Sequence, residues 1–245
     1  MIEELVGEPL IPVEDQIARA RDVVETRKSD IGRLAIAAVV IIALVGGYSW
    51  WRQSRNAKVE AALAQGLAIY EAPVMTPEPP KPGSPAPVQQ AGTFQSEQAK
   101  LEAALPKLMD AANRYPNVDA GIAARYYAAS ALSALGRYPE AEQRFQEVVD
   151  KAGSKIYGRT ARLGVAEAQV AQGKYDPAIT IYREMSTDTK ADLPADGVLM
   201  ALARAYVQAG RKDEAARAFT RIVDEFPQSP YVADARRELE EVKKS

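Results

Sequence analysis

The chain has 245 residues and a formal net charge of −2, and it contains neither cysteine nor histidine. Without these two residue types, disulfide bonds, Cys- or His-ligated metal sites and nucleophilic catalysis of the Ser–His or Cys–His kind are excluded. The near-neutral charge disfavours nucleic acid as a partner, and no motif predicts a catalytic residue, a metal site, a cofactor or a small-molecule substrate.

A short charged head, residues 1–30, precedes an apolar stretch at 31–52. Its central part, residues 34–51, carries no charged side chain. As an α-helix that part covers about 27 Å, which is close to the hydrocarbon thickness of a bilayer. We therefore predict a single transmembrane helix. Cationic and aromatic side chains suited to a membrane interface bound it: Arg33, Tyr48, Trp50, Trp51 and Arg52.

Basic residues near the predicted span favour a cytoplasmic N-terminus, because five precede it and three follow it in a comparable window. We therefore expect a single-pass protein of the inner (plasma) membrane with a periplasmic, or otherwise extracytoplasmic, C-terminal part. Residues 53–71 have good helix formers and no proline, so they predict a helical continuation and the first repeat helix. Residues 72–92 include seven prolines and predict an extended or disordered loop.

Residues 93–245 contain a sequence repeated at an interval of 37 residues, most clearly at Gly136, Gly173 and Gly210. Glycine suits the left-handed conformation that ends a helix. Two alanine columns would let paired helices approach closely, and an aromatic column would fill the adjoining space. The remaining column residues are Ala129, Ala141 and Phe145; Ala166, Ala178 and Tyr182; and Ala203, Ala215 and Phe219. Asp176 and Asp213 are expected to cap the second helices of their copies.

These columns resemble the tetratricopeptide repeat (TPR), which has small residues at its eighth and twentieth positions, glycine before the turn and an aromatic ring at the twenty-fourth. The resemblance implies an all-α fold, with an α-solenoid of helix pairs after the membrane helix. The family's fourth-position tryptophan is missing, and Arg125, Arg162 and Leu199 stand in its place. A charged final helix after residue 231 would cap the exposed end of the repeats.

In such repeats the first helices line a concave groove. The groove positions are, copy by copy, Tyr126, Tyr127 and Ser130; Leu163, Glu167 and Val170; and Met200, Arg204, Val207 and Gln208. The set is mostly neutral and lacks the Lys/Asn cluster with which some family members clamp C-terminal carboxylates. It favours an apolar or helical protein segment as ligand, although the same side chains could simply pack against neighbouring helices.

The charged head, the single span, its direct helical continuation and the repeats together resemble the bacterial family of the ancillary Sec-translocon subunit. That family's repeat domain is related to the one in a periplasmic cell-division coordinator. The resemblance implies a membrane-anchored, chaperone-like, protein-binding scaffold that assists proteins at the periplasmic exit of the translocon. Its partners would be translocon components, unfolded clients or envelope machinery. The alternative is a structural tether for cell-envelope or cell-division machinery.

Overall fold

A computed structural model describes residues 14, 15, 17, 18, 21, 28–75, 91–188 and 193–244, without the side chains of 28–35, 52, 55 and 56. Arg33 and Arg52 of the predicted membrane interface therefore lie outside the described side chains, as does most of the Pro-rich stretch. The helices are α1 (Lys28–Tyr70), α2 (Glu97–Arg114), α3 (Asp119–Ala134), α4 (Tyr138–Ala152), α5 (Ile156–Ala171), α6 (Tyr175–Thr187), α7 (Ala195–Gln208), α8 (Lys212–Glu225) and α9 (Val232–Lys244).

The chain divides into two compact units, Met1–Asn56 and Ala57–Ser245. In the first unit, every side chain from Ile36 to Trp51 is exposed to solvent. Within the described part of the chain, no helix is both long enough and apolar enough to cross a membrane. The transmembrane helix predicted at 31–52 is therefore not supported by the structure.

The second unit is built from helices that each pack on the next one along the chain, from α2 to α9. In addition, α3 contacts α5 directly, so the first helices of successive pairs also meet. This arrangement is an α-solenoid, and the predicted all-α repeat architecture is confirmed. At its N-terminal end, Leu63 and Leu67 of α1 pack on the buried Leu108 of α2.

The three repeat glycines end their helices as predicted, with φ values of 73° at Gly136, 74° at Gly173 and 73° at Gly210. The amide after each glycine donates to the carbonyl five residues earlier, which is the Schellman arrangement. These bonds are Arg137 to Leu132 (2.9 Å), Lys174 to Gln169 (2.9 Å) and Arg211 to Tyr206 (2.8 Å).

The capping role predicted for Asp176 and Asp213 is wrong. The N-cap residues of α6 and α8 are Lys174 and Arg211, and neither makes a side-chain cap bond. The helices begin two residues after the repeat glycine, earlier than predicted, so both aspartates lie inside the first turn. There a negative charge still interacts favourably with the positive end of the helix dipole, and Asp176 also pairs with Arg211.

The predicted alanine and aromatic columns form the core of the repeats. All six column alanines are fully buried, and the three rings are at most 4% exposed. The core is divided into clusters along the chain, one of which joins the second and third copies. Ala166, Ala178 and Tyr182 belong to the C-terminal cluster, whereas Ala129, Ala141 and Phe145 belong to the neighbouring one.

We expect Ala166→Leu and Ala178→Leu each to destabilise the protein by about 1–3 kcal/mol, because both positions are fully buried and a larger side chain would overpack the contact between helices. Denaturant unfolding followed by helical circular dichroism measures this loss. Ala134→Leu is the control, since Ala134 is exposed and should change stability by less than about 0.5 kcal/mol. Equal stabilities in all three variants would contradict the packing described here.

An ion pair replaces the aromatic residue that the repeat pattern has at its fourth position. In the first copy Arg125 lies 3.0 Å from Glu147, and in the second Arg162 lies 2.6 Å from Glu184. Both pairs join the first helix of a copy to its second helix. In the third copy Leu199 takes this position and is fully buried. The first pair is largely shielded from water, because the Arg125 side chain is 6% exposed.

Candidate protein-binding surface

Four partly buried tyrosines form a continuous aromatic surface, which we call the tyrosine patch: Tyr70 of α1, Tyr126 and Tyr127 of α3, and Tyr157 of α5. Their ring centroids lie 5.5 Å (Tyr70–Tyr127), 5.6 Å (Tyr126–Tyr127) and 5.5 Å (Tyr126–Tyr157) apart. The first two contacts are edge-on, an arrangement favoured by the charge distribution of aromatic rings. The structure thus unites Tyr126 and Tyr127, which the repeat pattern predicts, with two tyrosines that it does not.

The hydroxyl groups of Tyr70, Tyr126 and Tyr157 stay protonated at neutral pH. Burial raises the pKa of Tyr70, Tyr126 and Tyr157, and the neighbouring Tyr127 raises all three further. Tyr157 also shares a hydroxyl hydrogen bond with Tyr127. The patch is therefore an uncharged surface with apolar ring faces and polar hydroxyl groups, a combination that suits contact with another protein.

Glu167 places one carboxylate close to the patch. Burial raises the pKa of the Glu167 carboxyl, although the residue keeps exposed surface. Its negative charge in turn contributes to the raised pKa values of Tyr126 and Tyr182. Among the described residues, Glu167 has no ion-pair partner. A carboxylate that is partly desolvated and has no cation beside it can bind a cation from a ligand.

Several of the other predicted groove residues have structural contacts of their own. Ser130 donates a hydrogen bond to the Tyr126 carbonyl (3.1 Å). Leu163 and Val170 pack on the C-terminal core cluster. In the third copy Met200 is only 2% exposed, whereas Val207 and Gln208 are exposed.

Arg204, also predicted to line the groove, instead binds the final helix. It donates two hydrogen bonds, of 2.6 and 3.0 Å, to Glu238 of α9. The helix α9 packs on α8, where a further repeat would place its first helix, and so covers this part of the predicted groove. Arg204, Val207 and Gln208 nevertheless remain exposed, so the candidate surface comprises the tyrosine patch with Glu167 and a smaller exposed part in the third copy.

Sequence patterns could not identify Tyr70 and Tyr157 as members of the patch. Tyr70 lies in the predicted first repeat helix at 53–71, ahead of the three aligned copies, so no column includes it. Tyr157 is the second residue of α5, at a position where the first copy has Ala120 and the third has Pro194, so no column marks it. Only the contact between α3 and α5 brings it to Tyr126. No group of three or more acidic side chains in the described part of the chain could hold a metal ion.

We expect Glu167→Gln to leave the free protein as stable at pH 7 as the wild type, or slightly more stable. A carboxyl whose folded pKa is raised destabilises the folded state once pH exceeds its unfolded pKa, and the neutral amide removes that penalty. Unfolding curves at pH 7 and at pH 4 test this, because the difference between the two proteins should shrink as the carboxyl becomes protonated. A marked loss of stability in Glu167→Gln at pH 7 would show that Glu167 has a structural role.

Comparison with known proteins agrees with this architecture. A family model described as a tetratricopeptide repeat-like domain matches residues 31–243. A Podosopora anserina protein described as a putative kinesin light chain with nearly identical TPR-like repeats is 18% identical, with a TM-score of 0.53 over 59% of this chain and 78% of that one. A single-residue variant of that protein gives the same values. A TPR protein from Parabacteroides merdae is 16% identical, with a TM-score of 0.50 over 60% of this chain and 56% of that one. No curated protein matches.

Proposed function

The chain belongs to the family of tetratricopeptide repeat-like domains, and on that basis we propose that it is a protein-interaction scaffold with no catalytic role of its own. The observation that carries the proposal is the tyrosine patch together with Glu167. Four partly exposed rings in mutual contact and one carboxylate without an ionic partner among the described residues form a surface that protein ligands use often.

The chemistry of the surface defines the segment that it would bind. Apolar side chains of the ligand would pack on the tyrosine rings, and the tyrosine hydroxyls would accept or donate hydrogen bonds at the edges. A lysine or arginine of the ligand would lie beside Glu167, where the adjacent ring of Tyr126 also attracts a cation. The expected ligand is therefore a mainly apolar or helical protein segment that carries one basic residue.

Two finer functions are consistent with this scaffold. One is assistance to proteins at the periplasmic exit of the translocon, with translocon components and unfolded clients as partners. The other is a tether that binds one defined component of the cell-envelope or cell-division machinery.

Anchoring in the inner membrane with the repeats outside the cytoplasm is also a proposal. It is supported by the uncharged sequence at 34–51 and by the basic residues that precede it. Protease treatment of spheroplasts tests it, combined with alkaline extraction of the membranes. Digestion of the repeats before lysis, with the chain retained in the membrane pellet, would support the proposal. Protection until lysis, or release into the soluble fraction, would contradict it.

A photocrosslinking amino acid at position 157 tests the binding surface in cells, because an aromatic crosslinker retains the ring of Tyr157. Gln146 is the control position, since it is exposed on α4 outside the patch. We expect an adduct at 157 that is absent at 146 and that Glu167→Gln weakens. One discrete adduct would support the tether, and many adducts that depend on active secretion would support client assistance. Equal adducts at 146 and 157 would contradict the proposed surface.

A further inference from the structure

A second surface lies between the helices α6 and α8, away from the tyrosine patch. It is an open cleft of about 810 Å³. Four arginines line it, which we call the arginine cleft: Arg183, Arg211, Arg217 and Arg221. The other charged side chains of the lining are Glu184 and Glu214. This local excess of positive charge occurs in a chain whose net charge is −2.

Two of these arginines have carboxylate partners and two do not. Arg211 pairs with Asp176, and Arg221 binds both carboxylate oxygens of Glu225 at 2.8 and 3.0 Å. Arg183 and Arg217 are exposed, and neither has an ion-pair partner among the described residues. Each of these two guanidinium groups is therefore available for an anionic ligand.

The acidic residues of the lining do not neutralise the cleft. Glu184 is bound to Arg162 at 2.6 Å, so its charge is compensated from outside the cleft. Glu214 is the remaining carboxylate, set against the two unpaired guanidinium groups of Arg183 and Arg217. The unpaired charges of the lining thus sum to a positive value.

The floor of the cleft is apolar. Leu202 and Tyr206 of α7 and Ala218 of α8 line it and are each at most 8% exposed. In a helix of 3.6 residues per turn, positions 202 and 206 lie on the side opposite to 204. The arginine cleft and the predicted groove positions of the third copy therefore use opposite sides of α7.

We propose that the arginine cleft binds an acidic segment of a partner protein, one in which aspartate or glutamate residues alternate with apolar residues. Arg183 and Arg217 would each bind a carboxylate through the planar fork of the guanidinium group. The apolar residues of the segment would pack on the methylene groups of the arginine side chains and on the small surface that Tyr206 keeps. A protein segment fits better than a free phosphate group, because Arg183 of α6 and Arg217 of α8 can each bind a separate carboxylate of one segment, and the cleft of about 810 Å³ is far larger than one phosphate group.

The inference is tested on the full-length protein with a fluorescent peptide of alternating glutamate and leucine residues as the probe. Arg183→Ala/Arg217→Ala should weaken its binding by about tenfold or more, as expected for the loss of two charge-assisted contacts. Arg236→Ala/Arg237→Ala is the matched control, since it removes the same charge from exposed positions on α9 and should leave binding unchanged. A peptide with glutamine in place of glutamate should bind much more weakly than the acidic peptide.

Equal binding of the acidic and neutral peptides, or equal loss in both double variants, would overturn the proposal. So would strong binding of inorganic phosphate or of anionic vesicles that depends on Arg183 and Arg217 without binding of the acidic peptide. Circular dichroism confirms that the variants remain folded. Glu167→Gln should not affect this binding, so a failure here is distinguishable from a failure of the proposed tyrosine surface.

Discussion

Gly158→Ala is expected to destabilise the protein by about 3 kcal/mol or more, at or beyond the upper end of ordinary overpacking. A Cβ atom at this position would lie 2.0 Å from the carbonyl oxygen of Gly153, which is far inside van der Waals contact. The neighbouring atom belongs to the backbone, so no rotation of a side chain can relieve the clash. The loop before α5, the helix α5 or both would have to move.

The same constraint occurs one repeat earlier, in the first copy. Gly121 also lies third in its helix, and its Cβ would be 1.7 Å from the carbonyl oxygen of Tyr115. The two glycines are one repeat interval apart, at 121 and 158. The third copy has Ala195 there, and α7 begins at that residue. Gly121→Ala should therefore be as damaging as Gly158→Ala.

Gly197→Ala is the matched control, with an effect of opposite sign. Gly197 is also the third residue of its helix, but its Cβ would lie 3.5 Å from the Tyr231 ring, at an ordinary contact distance. Alanine there should stabilise the protein by about 0.5–1 kcal/mol, because it reduces the entropy of the unfolded chain. Denaturant unfolding of Gly121→Ala, Gly158→Ala and Gly197→Ala measures these changes in stability. Similar stabilities for Gly158→Ala and Gly197→Ala would show that a Cβ atom at position 158 does not clash with the Gly153 carbonyl.

Glu147→Ala is expected to destabilise the protein by about 3 kcal/mol, because it leaves the buried Arg125 guanidinium without its carboxylate. Arg125 would keep a hydrogen bond to the Ala112 carbonyl at 3.2 Å, but its Nη1 already lacks a hydrogen-bond partner. Breaking a buried ion pair by removing one partner usually costs about 3–5 kcal/mol. We expect the lower value here, because the Glu147 side chain is 29% exposed and water can enter the space that it leaves. Urea unfolding at neutral pH measures the loss.

The second copy supplies the control at the equivalent position. Glu184→Ala breaks the ion pair between Glu184 and Arg162, whose side chains are 61% and 38% exposed, respectively. Because this pair is open to water, its loss should reduce stability by less than about 1 kcal/mol. Glu147 also binds Arg144 at 2.7 Å, and Arg144→Ala should show that this partly exposed contact contributes little. If Glu147→Ala loses no more stability than Glu184→Ala, the burial of Arg125 does not determine the cost of breaking its ion pair.

A double variant tests whether the buried charge is the cause of the loss. In the third copy Leu199 occupies the position of Arg125 and is fully buried, so the repeat accommodates an apolar side chain there. Arg125→Leu/Glu147→Ala should therefore be more stable than Glu147→Ala alone, because no unpaired charge remains. Additive losses in the double variant would mean that packing, and not the charge, explains the effect.

The repeat architecture was predictable from the sequence because its signals are local or strictly periodic. A glycine that ends a helix needs only its own backbone conformation, so Gly136, Gly173 and Gly210 marked three helix ends correctly. Alanine and aromatic columns at a constant interval identify the faces that pack, since each copy uses the same side of its helices. Capping was the exception: Asp176 and Asp213 were expected to cap α6 and α8, but these helices begin earlier than the sequence suggested.

The candidate sites depended on contacts between positions that no periodic pattern links. Tyr70 and Tyr157 join Tyr126 only because α1, α3 and α5 meet in space, and Arg204 is bound by Glu238 thirty-four residues later. The sequence by itself determined the helices, their pairing and their buried faces, because these follow from short-range backbone preferences and repeated burial. Only the tertiary structure decided which side chains remain exposed for a partner, because that depends on the neighbouring helix that covers or leaves open each face.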